Sequence, residues 1–380
     1  MTPRKSDSRS HRMALMSIVR IILLPIIIVI VMLFPETLAH TQSPGSFDVF
    51  YSANVVKGKT GLFFVDARTG LSNSVAINGE QYTALTNGVL FRESDSHLIK
   101  IAYPDGRIEL YTPMQPSGPN LRLEWAVSQN RKWIVWTTSR TEGQSLIGDT
   151  YLLPVGGQDK RQVLHSSSTN GVVTIPLAVT NDGSAIFYTR QGDPDPNAYQ
   201  LFPAVADAYK LDVESGQSAQ MPGEPKCACA AAFSADGKQF LRLETPDNQQ
   251  GFNARLWDLT IKTDQLIGAP LQNAASAFRQ AGYMLFSPDG RLAVYTAAHG
   301  IPPTKNSPER YFIVLVDVER REQRILTDPL ISALRPVAFK SDNSAVLLAG
   351  TTKDGTYKVT LQDGDFLQVS AYSFLGTITG

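Results

Sequence analysis

The residues best suited to hold a metal ion lie in one short segment. Asp193, Asp195 and Asn197 alternate with prolines in residues 191–199, between two strand-like apolar runs. Their side-chain oxygens are ligands of the kind that Ca²⁺ prefers. The glycine and the distal glutamate of the helix-loop-helix calcium motif are missing, and the prolines restrict wrapping around an ion. The segment is therefore the one candidate metal site, and a rigid exposed loop is the alternative.

No set of residues with the spacing of a known catalytic motif occurs in the sequence. The Gly-x-Ser-x-Gly elbow of serine hydrolases and the Cys-x-x-Cys-His motif of covalent haem are missing. His97, His165 and His299 lie in separate segments, so each is expected to be a surface or satisfied histidine. Cys227 and Cys229 are too close for an unstrained disulfide within one strand and are interpreted as small buried residues. We therefore predict no catalytic residues and no cofactor.

The charge distribution excludes one class of partner. Residues 1–20 contain five basic residues and one acidic residue, a net charge of +4, so the remaining residues carry 30 basic against 34 acidic side chains, a net charge of −4. A mildly acidic body is poorly suited to a polyanion, and nucleic acid is therefore not an expected partner.

Residues 1–46 are interpreted as a targeting segment followed by a short linker. One reading is a secretory signal peptide, with the 14-residue apolar run 21–34 and a cleavage site near Ala39. The other is a membrane anchor over residues 13–34, a span of 22 residues in which Arg20 reaches the cytoplasmic headgroups. Both place the basic start inside and the chain beyond about residue 40 outside the cytoplasm.

The body of the chain repeats with a period of about 53 residues. Five turn-like segments, beginning at Ser128, Thr180, Ser234, Ser287 and Lys340, are spaced 52, 54, 53 and 53 residues apart. Each lies between two apolar runs rich in β-branched and aromatic residues, which indicates a hairpin. A second turn signal follows downstream, as in residues 65–70, 211–216, 257–262 and 316–321. The unit is therefore four strands, which is a propeller blade.

Counting the downstream hairpins predicts an all-β, seven-bladed propeller over residues 47–380, with six or eight blades as alternatives. The first unit has three strands, and the chain end has a spare apolar run, Tyr372–Ile378. We predict that this run pairs with Asp48–Ser52 and closes the ring, because closure removes open sheet edges.

The repeats FSADGKQFLRL (233–243) and LFSPDGRLAVYT (285–296), with LWDL at 256–259, resemble those of the TolB-type, WD-repeat-like propellers. The resemblance covers about residues 47–378. It implies a propeller that often serves as a protein-binding platform in secreted or periplasmic proteins, and it says little about the function of any one member.

Three functions follow from this interpretation, and the last of them is a purely structural stalk or envelope protein, which would have no pocket. The first is a non-catalytic extracytoplasmic scaffold that presents one face of the disc to a protein or a cell-envelope glycan, with long loops such as 191–199 and 300–310 on that face. The second is a lactonase- or lyase-like enzyme with carboxylates and a metal at the central channel. Three or more Asp, Glu, Asn or His side chains at one channel mouth would favour the enzyme. A glycan partner would require two of the four tryptophans (Trp125, Trp133, Trp136 and Trp257) to reach the surface together.

Overall fold

The computed structural model describes residues 45–56, 59–115, 122–192, 201–203, 205, 207–223, 230–244, 252–268, 280–298, 309–351 and 355–379. Within them the chain forms seven antiparallel sheets of four strands each, so the predicted seven-bladed β-propeller is confirmed. The apolar run 13–34 lies outside the described residues. Within the described part, no helix is long and apolar enough to cross a membrane.

Each blade has four strands, which are named from the innermost strand outward. Blade 1 contains β28 (Ser373–Thr379), β1 (Ser46–Val56), β2 (Lys59–Asp66) and β3 (Ser72–Ile77). Blade 2 contains β4 (Gly79–Ala84), β5 (Val89–Glu93), β6 (Ile99–Ala102) and β7 (Ile108–Leu110), followed by a 3-10 turn at Thr112–Met114. Blade 3 contains β8 (Arg122–Val127), β9 (Trp133–Glu142), β10 (Ser145–Pro154) and β11 (Arg161–Ser168).

The remaining blades follow the same order along the chain. Blade 4 contains β12 (Val173–Val179), β13 (Ala185–Gln191), β14 (Ala208–Asp212) and β15 (Ser218–Gln220). Blade 5 contains β16 (Ala231–Phe233), β17 (Gln239–Glu244), β18 (Asn253–Asp258) and β19 (Thr263–Ile267). Blade 6 contains β20 (Gln280–Phe286), β21 (Leu292–Ala298), β22 (Tyr311–Asp317) and β23 (Glu322–Ile325). Blade 7 contains β24 (Leu334–Phe339), β25 (Ala345–Gly350), β26 (Thr356–Thr360) and β27 (Phe366–Ser370).

The hydrophobic core consists of layers between neighbouring blades. The second and third strands of each blade carry the large apolar residues, and separate buried clusters join blades 1 and 2, 2 and 3, 3 and 4, 4 and 5, 5 and 6, and 6 and 7. Trp136 is buried in the layer between blades 2 and 3, against which Trp125 also packs. Trp257 is buried between blades 4 and 5, and Trp133 packs against the layer between blades 3 and 4. The tryptophans therefore contribute to packing between blades, as their place in strand patterns predicts.

The last strand closes the ring on the first. β28 pairs antiparallel with β1, with Asp48 opposite Thr377, Val49 opposite Gly376 and Phe50 opposite Phe374. Thr356 of blade 7 donates its hydroxyl to the carbonyl of Tyr372 at 2.6 Å. The C-terminal run thus pairs with the strand that the sequence predicts as its partner, and blade 1 is built from both ends of the chain.

Hydrogen bonds from residues within each turn to the turn aspartate stabilise the hairpin turns of blades 4, 5 and 6. In blade 6 the Ser287 hydroxyl donates to Asp289 at 2.6 Å, the Arg291 N–H donates to the same carboxylate at 3.2 Å, and Gly290 closes the turn with φ of +73°. That backbone conformation favours glycine because a Cβ is strained there. Blades 4 and 5 repeat the arrangement at Asp182 and Asp236.

These turn carboxylates should make the propeller sensitive to acid. The Thr180 hydroxyl and the Ser184 N–H lower the pKa of Asp182 to about 2, and hydrogen bonds from Ser344 lower the pKa of Asp342. A folded-state pKa below the ordinary value of 3.8 means that the unfolded chain binds more protons as the pH falls. The stabilisation is complete above about pH 5 and is lost between about pH 4 and pH 2. Urea unfolding at pH 7, 5, 4 and 3 should give a midpoint that is steady to pH 5 and then falls.

Asp182→Asn provides the control for this prediction, because the amide keeps the size of the carboxylate and does not titrate. The variant should be less stable at pH 7 and should lose less stability on acidification than the original chain. A urea midpoint that stays constant down to pH 2.5 would show that the turn carboxylates do not control acid stability.

Candidate functional site

The inner strands define two ends of the central channel. Each inner strand of blades 2 to 7 runs into the hairpin turn of its blade, and we call that side of the disc the turn end. The second strand of each of these blades ends, and its third strand begins, on the opposite side, the loop end. β13 and β21 end there at Gln191 and Ala298, and most of the segments 191–199 and 300–310 lies outside the described residues.

An apolar hollow lies near the turn end, where the inner strands of blades 3 to 6 meet their turns, and Val205, which follows β13, also lines it. Its volume is about 270 Å³. The lining is mostly aliphatic, aromatic or small, and includes Val127, Leu177, Ala178, Ala231, Phe233, Met284 and Leu285. Gln129 and Ser234 are polar members of the lining, and among the described residues that form it there is no Asp, Glu, His or Asn. We call this site the turn-end hollow.

Two side chains from the blade 3 turn reach other parts of the ring. Gln129 Nε2 donates to the carbonyl of Phe286 in blade 6 at 3.1 Å. Arg131 donates through Nη1 to the carbonyl of Thr377 in the closing strand, and burial lowers the pKa of its guanidinium. Blades 3 and 6 are not neighbours, so the Gln129 contact crosses the channel. The turn end is therefore held together by side chains as well as by the sheets.

Hydrogen bonds between adjacent turns extend this rim. Asn130 donates from its N–H to Asn181 Oδ1 at 2.9 Å and from Nδ2 to the Asn181 carbonyl at 2.9 Å. The Asn181 N–H donates to the carbonyl of Ala235 at 2.8 Å. Blades 3, 4 and 5 are thus linked turn to turn around the hollow, which makes it a preformed rather than an adaptable surface.

Two carboxylates of the described inner strands lie towards the loop end, and each is paired with an arginine. Glu80 on β4 accepts from Arg92 at 2.9 Å, and Glu124 on β8 accepts from Arg122 at 3.1 Å. Gln81 Nε2 also lies 3.4 Å from Glu124. Among the described inner-strand residues, the loop end brings two carboxylates and not three to the channel, and both lie beside arginine.

The comparisons with known proteins concern structure alone, because neither a family model nor a curated protein matches the sequence. A prolyl endopeptidase structure matches with a TM-score of 0.56 at 10% identity, over 89% of this chain and 49% of that chain. Oligogalacturonate lyase in complex with manganese matches with a TM-score of 0.52 at 14% identity, over 86% of each chain. TolB from Acinetobacter baumannii matches with a TM-score of 0.42 at 15% identity, over 75% of this chain and 64% of that chain.

The propeller architecture that the resemblance to TolB-type repeats implies is present in the described part of the chain. At these identities a structural likeness shows the architecture and leaves function open. The chain spans less than two thirds of the TolB and prolyl endopeptidase structures that it matches.

Several predicted site residues lie outside the described part of the chain. They are Asp193, Asp195, Asn197, Cys227, Cys229 and His299. Within the described part, no group of three or more His, Cys, Asp or Glu side chains could hold a metal ion. His97 is exposed at the loop end of blade 2, and His165 lies on the outer strand of blade 3. These two histidines therefore do not converge.

The structure also reveals a charged cluster that the sequence did not indicate. Asp149 on β10 lies 2.7 Å from Nδ1 of His165, and it accepts from Arg140 Nη1 at 2.5 Å and from Gln162 Nε2 at 3.0 Å. Burial alone would raise the pKa of Asp149, but the His165 and Arg140 hydrogen bonds outweigh it and the pKa is lowered. The cluster lies on the outer half of blade 3 and not in the channel, so it braces the two long strands of that blade.

Proposed function

We propose that this chain is an extracytoplasmic β-propeller that binds a protein partner without catalysing a reaction. The lining of the turn-end hollow carries the proposal. Apolar surface that is recessed in a rigid scaffold gains about 25 cal/mol for each Å² that a partner removes from water. At about 270 Å³ the hollow lies below the roughly 300–1,000 Å³ of small-molecule sites, so it suits one or two apolar side chains of a protein.

The enzyme alternative has less support from the channel. A lyase- or lactonase-like propeller needs several carboxylates or metal ligands at one mouth, and the described lining of the turn-end hollow supplies none. At the loop end, Glu80 and Glu124 are paired with arginines.

The class of partner follows from the aromatic residues. A glycan is usually held by exposed aromatic faces, and this chain has Trp136 and Trp257 buried between blades. Trp125 and Trp133 pack against the clusters of blades 2 to 4. A protein partner is therefore the better match. The location outside the cytoplasm rests on the basic start and the apolar run within residues 1–46.

Photo-crosslinking from the hollow tests the proposal. A benzophenone amino acid placed at Leu177, in the full chain and in the cells that produce it, should give a discrete protein adduct. The same probe at Thr69, which is exposed in a turn of blade 1, is the matched control and should not give that adduct. Adding Met284→Glu to the Leu177 probe should reduce the yield at least tenfold, because a charge in the hollow opposes burial of an apolar side chain.

The thermal midpoint of each variant shows that loss of the adduct is not loss of fold. Equal adducts from Leu177 and Thr69, or a yield that Met284→Glu leaves unchanged, would refute binding at the hollow. A mass added to the chain that a glycosidase removes would identify a glycan partner instead.

A further inference from the structure

Among the described outer strands, that of blade 7 exposes the most large apolar residues and contains no charged one. β27 contains Phe366, Leu367 and Val369, whose exposures are 40%, 57% and 48%. Tyr372 follows directly and is 41% exposed. No charged residue occurs from 366 to 380, so the strand presents an uncharged apolar surface to solvent. An exposed apolar edge strand is a template for pairing with another chain.

The other outer strands carry features that block such pairing. β11 contains Arg161 and His165, and β23 contains Glu322 and Arg324. On β19, Asp264 is ion-paired with Arg255. On β7, Glu109 lies between the exposed Ile108 and Leu110 and is ion-paired with Arg107 at 2.6 Å. β15 has only three residues, and the exposed residues at the start of β3 are serine and asparagine. Charges, short length and polar side chains are the devices by which natural sheets protect their edges.

Aromatic stacking also orders the edge of β27 in the free chain. Phe366 stacks on Tyr357 of the neighbouring strand with ring centroids 5.1 Å apart. Tyr372 stacks on Phe63 of blade 1 with centroids 4.4 Å apart and ring planes within 4°. Within the described residues, β27 pairs with β26 on one side and with no strand on the other. A partner strand would therefore meet a preordered edge and lose little binding free energy to ordering it.

We propose that the outer edge of β27 binds an extended, uncharged segment of a partner protein, which adds a fifth strand to blade 7. Main-chain hydrogen bonds to the outward N–H and C=O groups would provide the pairing. Apolar side chains at alternate positions of the segment would cover Leu367 and Val369. This surface is on the rim of the disc, so the proposal is independent of the turn-end hollow.

A second copy of this chain is a less suitable occupant because the contact is too small. A five-residue strand is about 17 Å long and a sheet is about 10 Å thick, so two rigid edges would bury on the order of 170 Å² each. Stable interfaces bury about 800 Å² per partner. A flexible segment can bury a larger area than a rigid edge, because it can also contact the apolar surface towards Tyr372.

A peptide of defined composition tests the edge directly. The probe is a ten-residue peptide of alternating Val and Thr with blocked ends, titrated into the full chain and followed by hydrogen exchange of the backbone amides. We expect protection in β27, with a dissociation constant at least tenfold weaker for Leu367→Lys. Leu266→Lys, at a similarly exposed leucine on the outer strand of blade 5, is the matched control and should bind as the original chain does.

A peptide with an N-methyl group on every residue should bind at least tenfold more weakly, because neither of its edges can donate main-chain hydrogen bonds to β27. A dissociation constant that neither Leu367→Lys nor N-methylation changes would overturn the proposal. Protection of another blade, or no binding at all, would overturn it too. Sedimentation of the chain alone gives the remaining outcome. A dimer that Leu367→Lys dissociates would show that a second copy occupies the edge, and the partner segment would be wrong.

Discussion

Deletion of residues 371–380 should unfold the propeller or cause it to aggregate. The deletion removes β28, which supplies the inner strand of blade 1 from the far end of the chain. Without it, the edge of β1 is exposed and the apolar face that Phe374 and Ile378 cover is open to water. The truncated chain should elute as aggregates, or unfold at a much lower urea concentration than the complete chain.

The expected loss is comparable to the stability of an ordinary domain. Burying Phe374 and Ile378 stabilises the fold by about 1.5–3 kcal/mol each. The hydrogen bonds of the β28–β1 ladder add about 1 kcal/mol each, and Asp48 also loses its bond from Thr377 Oγ1 at 2.7 Å. The free energy of unfolding of a domain is only about 5–15 kcal/mol. Loss of these contributions together would therefore remove most or all of it.

Two controls separate closure from a general effect of shortening. Removal of residue 380 alone leaves the paired residues in place and should not change the urea midpoint. In the complete chain, Phe374→Ala should lower the free energy of unfolding by about 3–5 kcal/mol. A synthetic peptide of residues 371–380 should restore solubility to the truncated chain. A truncated monomer with an unchanged midpoint would show that the ring is stable without this strand.

The sequence predicted the blades well because their signals are local. A serine or threonine two residues before the turn aspartate and a glycine after it are sufficient to form the hairpin, as the bonds of Asp289 show. The second strand that follows is largely apolar because most of it is buried between the neighbouring blades. Even the closing strand could be predicted, because an incomplete first unit and a spare apolar run at the chain end are visible without a structure.

The channel could not be predicted in the same way. Register shifts occur in the inner strands of blades 1, 2, 4, 6 and 7, and each shift changes which side chains face the axis. The contact from Gln129 to Phe286 joins residues 157 apart in the chain. One signal was available, since the blade 3 turn reads Ser-Gln-Asn-Arg and not Ser-x-Asp-Gly, and this turn supplies the side chains that bridge the channel.

The edge of blade 7 shows a different limit. Alternation of apolar and polar residues cannot distinguish an outer strand that packs on a neighbour from one that faces solvent. Only the position of β27 at the rim shows that Leu367 and Val369 have no cover within the described chain. The sequence contains the residues of such a surface, and the topology shows where the surface is.

The turn of blade 7 offers a second test with a large expected effect. Gly364 has φ of +80°, and a Cβ added there would overlap the carbonyl oxygen of Leu326 in blade 6. Gly364→Ala should therefore combine backbone strain of about 1–2 kcal/mol with a main-chain clash that only a shift between blades can relieve. We expect a loss of at least about 3 kcal/mol in the free energy of unfolding, measured by urea denaturation.

Gly70→Ala isolates the clash from the strain. Gly70 occupies a turn of the same kind in blade 1, with φ of +71°, and an added Cβ there has open space. Both alanines lose the same backbone freedom in the unfolded chain, which offsets part of the strain equally. Any difference between the two variants therefore measures how rigidly blades 6 and 7 are packed. Equal losses would show that blade 7 can move away from Leu326 at little cost, whereas a much larger loss at Gly364 would show that the two blades are fixed against each other.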